Sequence, residues 1–261
     1  MTQDASSYER DAVIEAQLSL YLAGTRFGHP LYAFRKVDST MNMAHLMAQH
    51  DAPEGTVIWA GSQEAGRGRQ GRVWESPEGG VYLSLLVRPW RPAQQLPQLS
   101  LVAGLAVAQA IQQLTTILPS VRWPNDILIN HLKVAGILTE AKYGAVVIGI
   151  GINVTTPQHA LPETGISLAA AGAAVDPNHL TSALCRRFAA WYDAWLAEGF
   201  APVREALRPL MALFGQVVHI TTGTTRFEGT ATDLDEQGRL VVRLDSGVLR
   251  AFDMGEVARL T

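Results

Sequence analysis

Apolar residues across 8–22 recur at helical spacing, with Val13, Ile14, Leu18, Leu20 and Leu22 marking the stripe of an amphipathic helix. Asp38, Ser39 and Thr40 then supply N-cap residue types ahead of a Met- and Ala-rich run, which predicts a helix reaching about His50. The unbroken Val57-Ile58-Trp59-Ala60 reads as a short buried strand. It feeds a glycine- and arginine-dense loop from Gly61 to Gly80, followed by a strand from Val81 to Val87. A long apolar stretch predicts a helix over roughly Leu96 to Leu118. Short strands follow near Val121-Arg122, Ile127-Leu128-Ile129, Val134 to Thr139 and Ala145 to Ile150, with Asn130-His131 as a tight turn. Helix resumes at Pro177, a residue suited to a first helical position, with Asp176 before it as cap.

The texture changes after about Leu213. Val217 to Thr221, Phe227 to Thr232, Leu240 to Leu244 and Val248 to Phe252 are short β-type runs, separated by Thr222-Gly223, Gln237-Gly238 and Ser246-Gly247. Even spacing of this kind predicts a small barrel of the SH3 type. A boundary near 212 divides the chain into 1–212 and 213–261. The earlier mixture of helices and short strands is α+β in pattern.

Composition narrows the function classes. The chain has 261 residues, 48% of them hydrophobic and 17% charged, enough to bury a substantial core. A formal net charge of −3 supplies no global field toward nucleic acid or an anionic membrane. No apolar stretch approaches the ~20 residues needed to span a bilayer, and the polar N-terminus lacks the form of a signal peptide. The single cysteine, Cys185, cannot form an internal disulfide and reads as a buried structural thiol in a reducing compartment, so a cytoplasmic protein is expected.

Three segments carry candidate chemistry. Gly66-Arg67-Gly68-Arg69-Gln70-Gly71-Arg72 has the G-x-G-x-x-G form of the dinucleotide fingerprint. That fingerprint requires a helix directly after the glycines, and Val73 to Gly80 reads as loop, so the Rossmann reading fails. A P-loop fails as well, since no Lys-Ser/Thr follows. What is left is a flexible loop whose guanidinium groups suit phosphate or carboxylate, or else a solvated surface loop. In the second segment, Arg122-Trp123-Pro124-Asn125-Asp126 sets a turn between strands, and Lys133 interrupts an apolar hairpin just before Gly136. A simple Asx turn would account for the former, and strand-edge protection for the lysine. The third, Gly149-Ile150-Gly151-Ile152-Asn153, allows close approach of a flat ligand and offers an amide that can both donate and accept; a strand ending in a turn is the plainer reading.

Taken in order, Asp38-Ser39-Thr40, Gly61 through Trp74, Trp123-Pro124-Asn125-Asp126, Lys133 through Leu138 and Gly149 through Asn153 resemble the biotin–protein ligase (biotin–acetyl-CoA-carboxylase ligase) family. The resemblance is close over 38–154, and Gly255-Glu256-Val257 fits the family's small C-terminal barrel. It implies a mixed β-sheet with flanking helices, of the class II synthetase-like kind, plus an SH3-like β-barrel. It implies ATP-dependent formation of biotinyl-5'-AMP and transfer of biotin to a lysine of a biotin carboxyl carrier protein domain. Ser39, Thr40 and Gln63, with the backbone from Gly66 through Gly68, would hold the ureido ring of biotin above Gly136. Arg67 and Arg69 would close over carboxylate and phosphates, and Lys133 would lie between the biotin carboxylate and the α-phosphate. Trp74, Asn125 and Asn153, with Arg69, would hold the nucleotide. Asp126 is the expected Mg²⁺ contact, and the expected base toward the acceptor lysine. Met41 departs from the family, whose members often carry a polar residue after Ser-Thr.

Other classes fit less well. A lipoate ligase would share fold and half-reaction, but no His-Asp element follows the glycine loop. The seven histidines show no ligand spacing for a metalloenzyme, and no Gly-x-Ser-x-Gly elbow marks a serine hydrolase. The 37 residues before Asp38 are too few for a three-helix DNA-binding domain, so a ligase without repressor function is expected. The resemblance leaves a homodimer open.

Overall fold

In the computed structural model, residues 8–253 and 255–259 are described. The chain runs α1 (Ala12–Tyr21), β1 (Leu31–Val37), α2 (Thr40–Gln49), β2 (Val57–Gln63), β3 (Gly80–Val87), α3 (Gln98–Leu114), β4 (Ser120–Arg122), β5 (Asp126–Ile129), β6 (Leu132–Lys142), β7 (Ala145–Asn153), α4 (Pro177–Glu198) and α5 (Ala201–Leu207). The strands β8 (Val217–Thr222), β9 (Thr225–Leu234), β10 (Leu240–Leu244), β11 (Leu249–Phe252) and β12 (Glu256–Arg259) complete it. The first seven strands form one mixed sheet in the order β1-β2-β3-β7-β6-β5-β4, parallel only between β1 and β2. The last five make a separate antiparallel sheet, β11-β10-β9-β8-β12. The expected mixed sheet with flanking helices and a small C-terminal β unit is what the chain forms.

The two faces of the large sheet are dressed differently, and this places the site. Strand β7 alternates: Val146, Ile148, Ile150 and Ile152 join the main core under α3 and α4, whereas Val147 faces the small cluster beneath α2. On that second face the next two positions are Gly149 and Gly151, so the α2 side of the sheet has a bare backbone floor where the other side has isoleucine. The main face is closed by α3, buried nearly all round, and by an aromatic column on α4. Phe188 and Tyr192 stack 5.7 Å apart and Tyr192 and Trp195 6.0 Å apart, a spacing of four and three residues that puts all three on one helix face. Cys185 lies fully buried on the same helix, and burial pushes its thiol up to about 12, which makes it an inert packing group.

Several local expectations meet their physical causes here. Asp176 caps α4 by accepting from the backbone N–H of Asn178 and His179, and Asn130-His131 form their tight turn with positive φ at both residues. The helix expected to reach Leu118 stops at Leu114, because Thr115 turns extended and its hydroxyl donates back to the Ile111 carbonyl. Ser39 occupies the N-cap position of α2, yet its side chain makes no capping bond; Asp38 accepts from the Ser39 N–H instead. The short helix α5 and the strand β12 were not signalled by hydrophobic periodicity.

Candidate active site

The bare floor is the base of a pocket. Gly136 on β6 pairs in register with Gly151 on β7, and Trp74 lies across both. A Cβ on Gly151 would overlap the Trp74 indole nitrogen, and one on Gly136 would come within 3.0 Å of its ring. Gly149 is covered the same way by Met41, whose sulfur would lie 2.6 Å from an added Cβ. The departure at Met41 is therefore a packing element: a flexible thioether fills the space over a glycine. With Trp74 and Met41 lying on the floor, about 50 Å³ of open cavity remains, lined by Ser39, Thr40, Gln63, Arg69, Lys133 and Gly136 among others.

One end of the pocket is neutral and closely hydrogen-bonded. The Ser84 hydroxyl donates to Thr40 Oγ1 (2.9 Å), and Gln63 Oε1 accepts from both the Thr40 N–H (2.8 Å) and its hydroxyl (3.2 Å). Gln63 Nε2 donates to Ser76 Oγ (2.9 Å), which passes its own proton to the Trp74 carbonyl (2.9 Å). Gly66 sits against this chain so tightly that a Cβ would meet Ser76 Oγ at 2.5 Å, so its glycine serves internal packing. Ser39 Oγ is buried beside the chain and has no partner in it. An unpaired buried hydroxyl costs about 1–3 kcal/mol, which marks Ser39 as a group at this end held ready for something else. Ser76 and Ser84, which complete the network, were not signalled by the sequence: isolated serines in a loop and a strand carry no pattern.

The other end is charged. Arg69 Nη1 donates to Asn125 Oδ1 (3.0 Å), and Asn125 is fixed from behind by donating to the Ile137 carbonyl (3.0 Å). Lys133 Nζ lies 2.6 Å from Asp126 Oδ1 and 5.2 Å from the centre of the Trp74 ring. The second Asp126 oxygen accepts from Arg122 at 2.6 Å. Burial pulls the Arg69 guanidinium below its ordinary value, opposed by the charge of Asp126 and reinforced by Arg72, though an arginine remains cationic throughout. Beyond this end the pocket opens into a cleft of about 490 Å³ between the large sheet and the C-terminal strands, bordered by Arg72, Arg122, Asp126, His219 and Arg226.

Two expectations change. The glycine-arginine loop is not open chain: Trp74 N–H donates to the Gly66 carbonyl (2.9 Å) and Gly68 N–H to the Arg72 carbonyl (2.7 Å), so it is a tied hairpin whose tip, Gln70-Gly71, takes positive φ. Arg67 does not aim a free guanidinium at the pocket. It forks onto Glu140 on β6 at 3.0 and 2.9 Å, and the same carboxylate receives His45 at 2.8 Å. Burial acts to raise the Glu140 carboxyl, but the bonds from His45 and Arg67 outweigh it and hold it below the usual carboxylate range. Neither Glu140 nor His45 was singled out in the sequence; partners 73 and 95 residues apart leave no local trace.

The remaining predicted residues divide. Ser39, Thr40, Gln63, Arg67, Gly68, Arg69, Trp74, Asn125, Lys133 and Gly136 line one pocket. Asp126 joins them from the adjoining cleft. Asn153 lies in a smaller side cavity with Trp74, Leu161 and Pro162; its Nδ2 donates to the Ile166 carbonyl (3.2 Å) and its buried Oδ1 has no partner among the described residues. As the expected Mg²⁺ contact, Asp126 fits poorly, since each of its oxygens already faces a cation. Among the described residues no group of three or more His, Cys, Asp or Glu side chains is placed to hold a metal.

A mixed sheet carrying a pocket with a neutral polar end and a cationic end, beside a small β unit, is suited to a ligand with an uncharged polar ring at one end and an anionic group at the other. Residues 33–156 match the Biotin/lipoate A/B protein ligase family, and residues 213–260 match the Biotin protein ligase C terminal domain. The chain belongs to the biotin/lipoate protein ligase family. It is 35% identical over 249 residues to the Bifunctional ligase/repressor BirA of Bacillus subtilis, covering 91% of this chain and 77% of that one. It is 36% identical to the Biotin--[acetyl-CoA-carboxylase] ligase of Paracoccus denitrificans, covering 81% and 93% respectively. The structure of the biotin protein ligase from Aquifex aeolicus in complex with biotin and ATP superposes with a TM-score of 0.79 at 29% identity, covering 88% of this chain and 98% of that one.

Proposed function

We propose that the chain activates biotin with ATP to biotinyl-5'-AMP and transfers the biotinyl group to one lysine of a biotin carboxyl carrier protein domain. The observation that carries this reading is the pairing of unlike ends across one glycine floor. A neutral hydroxyl-amide end suits the uncharged ureido ring, and a cationic end closes the other side of the same pocket.

In the first step a carboxylate oxygen of biotin attacks the α-phosphorus, an acyl–phosphate bond forms, and the bond to the leaving pyrophosphate breaks. Two anions must approach each other. Lys133 and Arg69 offset that repulsion and stabilise the charge that grows on the phosphoryl oxygens. Ser39 supplies the unpartnered hydroxyl to the ureido ring, with Thr40 and Gln63 holding the wall behind it. Trp74 and Asn153, which share the side cavity, are assigned to adenine, the free Asn153 Oδ1 accepting from its amino group. Asn125 holds Arg69. In the second step the acceptor amine attacks the acyl carbon, AMP leaves, and the amide forms. Asp126, kept between Lys133 and Arg122, is placed to steady Lys133, and we assign it that role ahead of the base role. Arg67 acts through Glu140, fixing the first turn of the loop. Magnesium would arrive with the nucleotide and would offset the charge of its phosphates.

We further assign 1–212 to the catalytic unit and 213–261 to the C-terminal barrel, and place the protein in the cytoplasm. Among the described residues no helix is long and apolar enough to cross a membrane. Specific DNA binding is not expected, because net charge is −3 and the loop arginines are engaged within the site. A mobility shift at physiological salt that resisted competitor DNA and strengthened with biotin and ATP would contradict this. Calorimetric titration tests the main reading: biotin should bind tightly and more tightly once ATP is present, whereas preference for lipoate would overturn it.

A further inference from the structure

We infer that the turn joining β9 to β10 in the C-terminal barrel is a positioning element for the active site, acting through Trp123. This rests on the ligase reading and assigns the barrel a task within that reaction.

The contact is built like a latch. The turn at 235–239 is rigid in itself: Asp235 Oδ1 accepts from the N–H of Gln237 and of Arg239, both at 2.9 Å, and Gly238 N–H donates to the Asp235 carbonyl at 3.0 Å. It enters a socket of the large domain, where two of its carbonyls are caught. The Glu236 carbonyl accepts from Gln98 Nε2 (3.0 Å), and the Gly238 carbonyl accepts from the Trp123 indole N–H (3.0 Å). Gln98 is buried and is itself oriented by Trp195, whose indole donates to its Oε1 at 2.7 Å. The seat is close: Gly238 has φ +78°, and a Cβ there would come 3.1 Å from Leu101 Cδ1 and 3.4 Å from Gln98 Cγ.

What the latch holds is the turn that carries the charged end of the pocket. Trp123, 3% exposed, is followed by Pro124, whose carbonyl accepts from Ser100 on α3 at 3.1 Å. Next come Asn125, which grips Arg69, and Asp126, which grips Lys133. Only Pro124 stands between the residue that takes the barrel's hydrogen bond and the amide that orients Arg69. A displacement of this turn moves both cations together, and about 1 Å of misplacement at a reacting centre can lower a rate on the order of 100-fold. Among the described residues the neutral end, on α2 and β2, has no hydrogen bond to the barrel. Trp123 is thus a positioning residue, and loss of the latch should slow adenylation while leaving biotin binding intact.

Two variants and two readouts test this. Trp123→Phe keeps an aromatic ring and removes only the donor. Asp235→Ala loosens the turn from the barrel side, since its carboxylate bonds Gln237 and Arg239 within the turn itself. Both are assayed well below their measured unfolding midpoints. In biotin-dependent exchange of pyrophosphate into ATP, kcat should fall about tenfold for W123F and several-fold for D235A, with the KM for biotin within about twofold of wild type. Amide hydrogen exchange, which needs no substrate, should show D235A losing protection over 122–126. Wild-type kcat in both variants, a KM rise equal to the kcat loss, or unchanged protection at 122–126 in D235A would each overturn the inference. If wild type itself shows no biotin-dependent exchange, the ligase reading fails, while the protection measurement still decides whether the barrel holds the turn. Should W123F not fold, D235A carries both readouts alone.

Discussion

The two ends of the pocket are built from different physics. The neutral end is a chain of hydroxyl and amide bonds from Ser84 through Thr40, Gln63 and Ser76 to a backbone carbonyl, largely buried and without a formal charge. The charged end relies on ion pairs and one amide, Asn125, and it opens into a wide cleft. A ring whose charge never changes can be recognised by a fixed network. A reaction in which negative charge builds needs cations that face it and can be reached by a large partner. The difference predicts that binding and chemistry will separate under mutation, and that salt and pH will act on the second end more than the first.

The largest effect should come from the charged end. Lys133→Ala should lower kcat for biotin-dependent pyrophosphate exchange about 10³-fold, with biotin affinity changed far less, since its charge matters most in the transition state. Near wild-type exchange would remove Lys133 from the mechanism. Ser39→Ala probes the neutral end and should show the opposite pattern. It should raise the dissociation constant for biotin about tenfold by calorimetry, at little cost to kcat or thermal stability, because the hydroxyl bonds nothing among the described residues. A loss of stability without a loss of affinity would show that Ser39 is merely structural.

Arg69→Gly should weaken retention of the adenylate more than its formation, so that lysines of a bystander such as serum albumin become labelled several-fold faster than with wild type. A bystander that stays unlabelled while the adenylate forms would contradict the role. The smallest effect belongs to Glu140. Because its carboxyl titrates lower in the folded chain than in the unfolded one, its contribution is complete above the ordinary carboxylate value near ~4.3 and is lost as pH falls through the lower folded value. As a partly exposed group its worth is under about 1 kcal/mol. Glu140→Gln should flatten the fall of the unfolding midpoint between neutral and acid pH, and an unchanged slope would show that the fork from Arg67 is idle.

How much could be read beforehand follows the same division. The glycines of Gly149-Ile150-Gly151-Ile152 suggested close approach at the end of a strand, and most of the residues named from the motifs line one pocket. Contact between them was not legible. Glycines expected to admit a ligand or an anion are occupied by Trp74, Met41 and Ser76, since a bare position is filled by whatever side chain the fold brings over it. Arg67 looked free because Glu140 lies on a strand far along the chain, and Ser39 looked like a cap because its residue type favours one. Propensity registers the neighbours in sequence; ion pairs and hydrogen-bond chains across a sheet register only in three dimensions.

The measurement closest to the central claim uses the whole chain with biotin, ATP, magnesium and a purified biotin carboxyl carrier domain, followed by intact mass and peptide mapping of that domain. One biotinyl group should appear on one lysine, strictly dependent on ATP. An acceptor that remains unmodified, or one that takes a lipoyl group while refusing biotin, would contradict the account.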